Sequence, residues 1–94
     1  MKALFVIVSD PRTSHRPAEA IRIAAGVGAW KKVDVSLYLH GEAVRILDDA
    51  TGDFVDEEQF TRYLPMLEPR NIHTHKNGAE FARLAKDHSV VTWF

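Results

Sequence analysis

A continuous apolar segment near the start of the chain constrains its fold more than any other feature. Residues 3–8 read "ALFVIV", and Ser9, Asp10 and Pro11 end the segment. A strand with one solvated face alternates apolar and polar residues, whereas a strand of a parallel sheet, buried on both faces, is apolar throughout. The segment therefore predicts a parallel strand that other elements must cover on both sides.

Helical and strand patterns alternate along the rest of the chain. After the first strand they predict a helix at 17–30, a strand at 33–39, a short helix at 40–47 with Ala43, Val44 and Leu47 facing inward, a turn-rich connector, a helix at 56–67, a strand at 71–76, a helix at 78–87 and a strand at 89–94. Strands alternating with helices imply a parallel sheet with right-handed crossovers. We predict one α/β domain over residues 1–94, a three-layer flavodoxin-like fold with about four strands in the order 2-1-3-4 and helices on both faces.

Composition excludes several classes of function. The net charge is −1 with no long basic run, so we expect no nucleic-acid partner. The chain has no cysteine, which excludes disulfides, thiolate metal sites and a cysteine nucleophile. The apolar run of "MKALFVIVSD" is too short to span a membrane, and Asp10 and Pro11 interrupt it where a signal peptide would continue. We expect a cytoplasmic protein that begins with its first strand.

Polar side chains gather where the predicted strands end. In an open parallel sheet, ligands bind beyond the carboxyl ends of the strands, where the strand order reverses. The candidate residues there are Ser9, Asp10, Arg12, His15, His40, Gly41, His75 and Lys76. These residues predict a small-molecule or anion site, although loops at strand ends are polar in any protein.

Metal binding and catalysis have little support in the sequence. His73 and His75 would share one face of a strand, but no third ligand has diagnostic spacing, so we expect no metal. The chain contains no nucleophile elbow, Walker motif or dinucleotide-binding motif, so we expect no cofactor and assign no catalytic residue. An enzyme that uses histidine acid–base chemistry is a further alternative, for which the sequence specifies no substrate.

Two segments resemble the DsrE/DsrF-like family, which includes the TusD-type subunits of bacterial sulfur relay. The first is "KALFVIVSDPRTSHRPAEAIRIAAGVGAWKKVDVSLYLHGEAV", with a strand, a Ser-Asp loop, an alanine-rich helix, a second strand and a Gly-x-x-Val turn. The second is "NGAEFARLAKDHSVVTWF", similar to the closing helix and strand of the family. Together they cover most of the chain, and the motifs are mainly hydrophobic patterns.

The resemblance implies a fold and a habit of association, but not the sulfur chemistry. Members that carry persulfide place a reactive cysteine just after the third strand, where this chain has "HTHKNG" with His75, Lys76 and Asn77. We therefore expect a non-catalytic subunit or partner, unable itself to carry persulfide, in a homo-oligomer (dimer or trimer) or a hetero-oligomer with DsrE-family chains. The mostly apolar helix at 17–30 independently predicts a neighbour that covers it. The alternative is a module that binds a small molecule or anion at the carboxyl edge of the sheet.

Overall fold

A computed structural model of the chain describes residues 1–30, 32–48 and 53–94. Its strands are β1 (Lys2–Ile7), β2 (Asp34–Leu39), β3 (Ile72–Thr74) and β4 (Val90–Trp93). Its α-helices are α1 (Arg16–Gly28), α2 (Glu57–Tyr63) and α3 (Gly78–Lys86), and 3₁₀ helices cover Gly41–Leu47, Leu64–Met66 and Pro69–Asn71. Most of the predicted turn-rich connector, residues 49–52, lies outside the described residues.

The four strands form one parallel sheet in the order β3-β2-β1-β4. The predicted α/β class is confirmed, but the predicted order 2-1-3-4 is wrong. The crossover through α2 continues in the direction of the first crossover, so β3 pairs with β2 and lies at an edge. Strands β3 and β4 are therefore the two edges of the sheet: the polar, half-buried β3 pairs with β2, and the more apolar β4 pairs with the buried β1.

Strand β2 alternates in sequence, with Asp34, Ser36 and Tyr38 on its more polar face. It is interior to the sheet, next to the edge strand β3, whereas the predicted order 2-1-3-4 places it at an edge. Leu37, Tyr38 and Leu39 are all buried there. Tyr38 belongs to the face that the pattern marks as polar, but its ring packs against Phe81 of α3, with ring centroids 5.0 Å apart. The aromatic ring therefore lets a nominally polar face be buried.

Helices cover both faces of the sheet, as predicted. On one face, α1, α2 and the 3₁₀ helix Gly41–Leu47 pack over the main core; its largest fully buried side chains include Ile7, Ile21, Leu39, Ile46 and Phe60. On the other face, α3 packs over Leu4, Val6 and Tyr38. This division follows from right-handed crossovers: β1-to-β2 and β2-to-β3 run in one direction, and β3-to-β4 returns across the sheet.

Within the described ranges, no helix is both long enough and apolar enough to cross a membrane.

Candidate functional site

A cavity of about 510 Å³ opens at the carboxyl edge of the sheet, beside the ends of β2 and β3. Residues that follow these two strands contribute most of its lining, among them His40, Gly41, Glu42, Arg45, His75 and Lys76. After β2 the chain crosses over the α2 face, and after β3 it crosses over the α3 face. Diverging crossovers on neighbouring strands leave the crevice in which open α/β sheets bind ligands.

The segment that follows β2, residues 41–48, forms one wall of the cavity. A repeat of three residues along this segment decides which of its side chains face the cavity. Gly41 has a φ of 61°, a left-handed conformation that glycine adopts freely, and it turns the chain out of the strand. The next segment is a 3₁₀ helix, which has three residues per turn, so Ala43 and Ile46 are its buried pair. The same period brings Glu42 and Arg45 to the cavity.

The α-helical period used for the sequence prediction gave a partly wrong inward face for this segment. It placed Leu47 in the core with Ala43 and Val44, but Leu47 is 49% exposed and Val44 only half-buried. Glu42, Arg45 and Asp48, spaced by three, all line the cavity and were missing from the predicted site. A search of the sequence after β2 for polar residues that recur every three positions would have found them.

The two histidines around β3 lie in different environments, contrary to the shared face that an extended strand would give them. His73 pairs in register with Tyr38, which places it on the α3 face of the sheet. The strand ends at Thr74, and His75 has a φ of 55°, so the alternation of side chains stops there. Only His75 of the two lines the cavity.

Burial changes the acid–base behaviour of His73. Partial desolvation lowers the pKa of His73 from its ordinary value, and the nearby positive charge of Lys76 and then His88 act in the same direction. His73 is therefore held towards its neutral form, as a packed ring beside the site.

A chain of ion pairs joins the loop after β1 to the wall after β2. Arg12 contacts both carboxylate oxygens of Asp10, with its Nη2 2.9 Å from Oδ2, and it also lies 3.3 Å from Oε2 of Glu42. Arg45 contacts the same oxygen of Glu42. The side-chain hydrogen bond from Arg12 lowers the pKa of Asp10 and keeps its carboxylate ionised. The network orients the loop and neutralises two acidic groups near the cavity.

The eight predicted site residues therefore fall into three groups. His40, Gly41, His75 and Lys76 line the same cavity. Asp10 and Arg12 reach it through Glu42. Ser9 and His15 do not line it: the N–H of Ser9 donates to the carbonyl of Phe94 over 3.4 Å, and His15 lines a separate cavity beside α1 and α2.

Tyr38 lines the cavity and holds the backbone of Lys76 in place. Its hydroxyl donates to the carbonyl oxygen of Lys76 and accepts from the N–H of Lys76, each over 3.2 Å. The sequence prediction missed this residue. A tyrosine that is buried at a strand end needs a partner for its hydroxyl, which is the signal that could have drawn attention to it.

Among the described residues, no group of three or more histidine, cysteine, aspartate or glutamate side chains could hold a metal ion. Comparisons with protein-family models, curated proteins and solved structures give no match. The resemblance to the DsrE/DsrF-like family therefore stays a prediction.

The lowered pKa of His73 predicts a pH-dependent contribution to stability. The unfolded chain, with a histidine pKa near 6.5, takes up this proton more readily than the folded chain does. The contribution is therefore complete above about pH 6.5 and is lost as the pH falls towards the lower folded pKa. Urea unfolding between pH 8 and pH 5 should show a smaller decrease in the free energy of unfolding for His73→Gln than for the wild type. Parallel curves for the two proteins would contradict the half-buried, neutral state of His73.

The left-handed backbone at His75 predicts an unusual order of stability. Left-handed geometry raises the free energy of a non-glycine residue in the folded chain by about 1–2 kcal/mol. A glycine lowers the free energy of the unfolded chain through its extra freedom, but only by roughly 0.4–1 kcal/mol. His75→Gly should therefore be more stable than His75→Ala by roughly 0.5–1 kcal/mol in urea unfolding. At the neighbouring Thr74, the last residue of β3, the glycine variant should instead be the less stable of the pair. The same order at both positions would rule out a left-handed His75.

Proposed function

We propose that this protein is a cytoplasmic, non-enzymatic module that binds a small anionic molecule at the carboxyl edge of its sheet, between β2 and β3. The observation that carries the proposal is the cavity of about 510 Å³, lined by His40, His75 and Lys76. Its size lies within the usual range for small-molecule sites, and its position between diverging crossovers is where α/β sheets bind ligands.

The charges around the cavity favour an anion on the side that follows β3. The cavity-lining residues on that side are His75 and Lys76, which can donate hydrogen bonds to an anionic oxygen. On the opposite side of the crevice, Glu42 has arginine partners, which leaves Asp48 to interact with a hydroxyl or amine of the ligand.

Local backbone geometry supports a prepared site. The carbonyl and N–H of Lys76 are both held by the buried hydroxyl of Tyr38. His75 retains a left-handed backbone without the freedom of glycine. Strained residues concentrate at binding sites, where the surrounding structure holds them in place.

Inorganic phosphate is the simplest probe of this site. In a ¹H–¹⁵N NMR titration, we expect phosphate to shift the backbone signals of His40, Gly41, His75 and Lys76. Hydrogen bonds to charged groups contribute about 1.5–3 kcal/mol when buried, and Lys76 is half-buried, so Lys76→Gln should weaken binding about tenfold.

The matched control is Lys86→Gln, which removes the same charge from an exposed position at the end of α3. It should leave the affinity for phosphate unchanged. Equal weakening by both variants would mean that phosphate responds only to net charge, and an absence of shifts around the cavity would reject the proposal.

A second function, subunit of an oligomer, has its own supporting observation. An open groove of about 420 Å³ lies beside the C-terminal half of α1, with Ile23, Val27, Trp30 and Val33 in its lining. Trp30 is 77% exposed. A concave apolar surface with an exposed tryptophan is typical of an interface core. This groove suits a second copy of the chain, in keeping with the homo-oligomers that the DsrE-like resemblance implies; a different DsrE-family chain is the other partner.

Sedimentation velocity tests this association. If the groove joins two copies, the wild type should sediment as a dimer or larger species, and Trp30→Glu should sediment as a monomer because a charge at an interface core is costly to bury. Leu47→Glu is the control, since Leu47 is also a large exposed apolar residue, 49% exposed, outside the groove. A wild type that is monomeric at high concentration would exclude the homo-oligomer, and a pull-down of a DsrE-family chain would then support the hetero-oligomer.

A further inference from the structure

A second cavity, of about 250 Å³, lies at the same edge of the sheet on the α3 face. Its lining is mainly apolar and aromatic, and it includes Val6, Val8, Tyr38, Phe81 and Trp93. The main core lies on the other face of the sheet, under α1 and α2. This cavity is therefore a separate apolar chamber, open to solvent, that the described part of the chain does not fill.

Three aromatic rings form the walls of the apolar chamber. Tyr38 and Phe81 have ring centroids 5.0 Å apart at 35°, and Phe81 and Trp93 have centroids 5.9 Å apart at 69°. Trp93 is nevertheless 54% exposed, and the neighbouring Val8 is 43% exposed. Ring faces that border an empty apolar space offer offset or edge-to-face contacts to another flat ring.

The position of Trp93 is held by its backbone. The N–H of the following residue, Phe94, donates to the carbonyl of Val6 over 2.8 Å, and Arg16 donates to the carbonyl of Trp93 over 3.0 Å. The Arg16 guanidinium also lies 5.6 Å from the centre of the Phe94 ring. The end of β4 is therefore fastened to β1 and α1, which places the indole at the chamber before any ligand binds.

The apolar chamber and the polar cavity share part of their lining. Tyr38, His40 and Lys76 belong to both. The Tyr38 hydroxyl is already bonded to the backbone of Lys76, so its ring, rather than its hydroxyl, is available to a ligand. A molecule in the apolar chamber can therefore extend towards the side chains of His40 and Lys76.

The N-terminus of α3, at the edge of this chamber, does not supply the attraction for an anion. The Asn77 side chain accepts from the N–H of Glu80, and the Glu80 carboxylate accepts from the N–H of Asn77. This capping box satisfies helix donors and places a negative charge in the first turn. Recognition of an anion next to the aromatic walls must therefore come from Lys76 and His40.

We propose that the two cavities form one site for a flat aromatic carboxylate, with the ring in the apolar chamber against Phe81 and Trp93 and the carboxylate at Lys76 and His40. The chamber has room for such a ring, since a cavity of roughly 150 Å³ accommodates benzene. This inference rests on the proposed anion-binding function and specifies its ligand class. A carboxylate that lacks a flat ring gains only the polar half of the site, and an uncharged ring gains only the apolar half.

The test compares four probes by NMR titration: 2-naphthoate, cyclohexanecarboxylate, acetate and 2-naphthalenemethanol. We expect 2-naphthoate to bind at least about tenfold more tightly than each of the others, because ring contacts and the charged contact each contribute on this scale. Its ring should give intermolecular NOEs to Phe81 and Val8, while the signals of His40 and Lys76 shift.

The two exposed tryptophans provide a matched pair of variants. Trp93→Ser should weaken 2-naphthoate binding about tenfold and leave phosphate binding unchanged, because only the ring loses a partner. Trp30→Ser, at the groove beside α1, should change neither. The NOEs in the wild type carry the test independently if Trp93→Ser does not fold.

The remaining outcomes separate this inference from the function on which it rests. If phosphate binds at the polar cavity but 2-naphthoate binds no better than acetate, the aromatic chamber is overturned and the anion site stands. If 2-naphthalenemethanol binds as tightly as 2-naphthoate, the assignment of the carboxylate is overturned. If 2-naphthoate gives NOEs only to the groove around Trp30, the location is overturned. If no anion shifts His40 or Lys76, both proposals fail.

Discussion

The burial of β1 on both faces is the constraint on which the rest of the structure depends. Its side chains from Ala3 to Ile7 are all buried, alternately under α1 and under α3. A strand of this kind cannot lie at the surface, so the chain has to place helices on both sides and strands on both edges of it. Parallel pairing with β2 and β4 then brings the carboxyl ends of the strands to one edge.

The direction of the crossovers decides where on that edge a cavity opens. The order β3-β2-β1-β4 sends the chain to opposite faces after β2 and after β3, and the polar cavity lies between the two exits. The order predicted from the sequence would have placed the reversal beside β1 instead. Strand ends are adjacent to that edge in either order, which is why half of the predicted residues still line the cavity.

The site combines two kinds of surface that meet at one buried tyrosine. Tyr38 lines both cavities, packs against Phe81 and bonds to the backbone of Lys76. Its position under α3 explains how an alternating strand can be interior. The same position separates His73, packed and held towards neutrality, from His75, which leaves the strand and lines the cavity. A packed histidine and a cavity-lining histidine thus lie two residues apart.

The sequence by itself determined the α/β class, the succession of strands and helices, and the polar character of the strand ends. These properties follow from local hydrophobic periodicity and from turn residues, which act over a few positions. Only the tertiary structure decided the order of the strands, the 3₁₀ helix that brings Glu42 and Arg45 to the polar cavity, and the aromatic chamber at Trp93. Each of these depends on contacts between segments far apart in the chain, or on the choice of a 3₁₀ turn that local propensity does not specify.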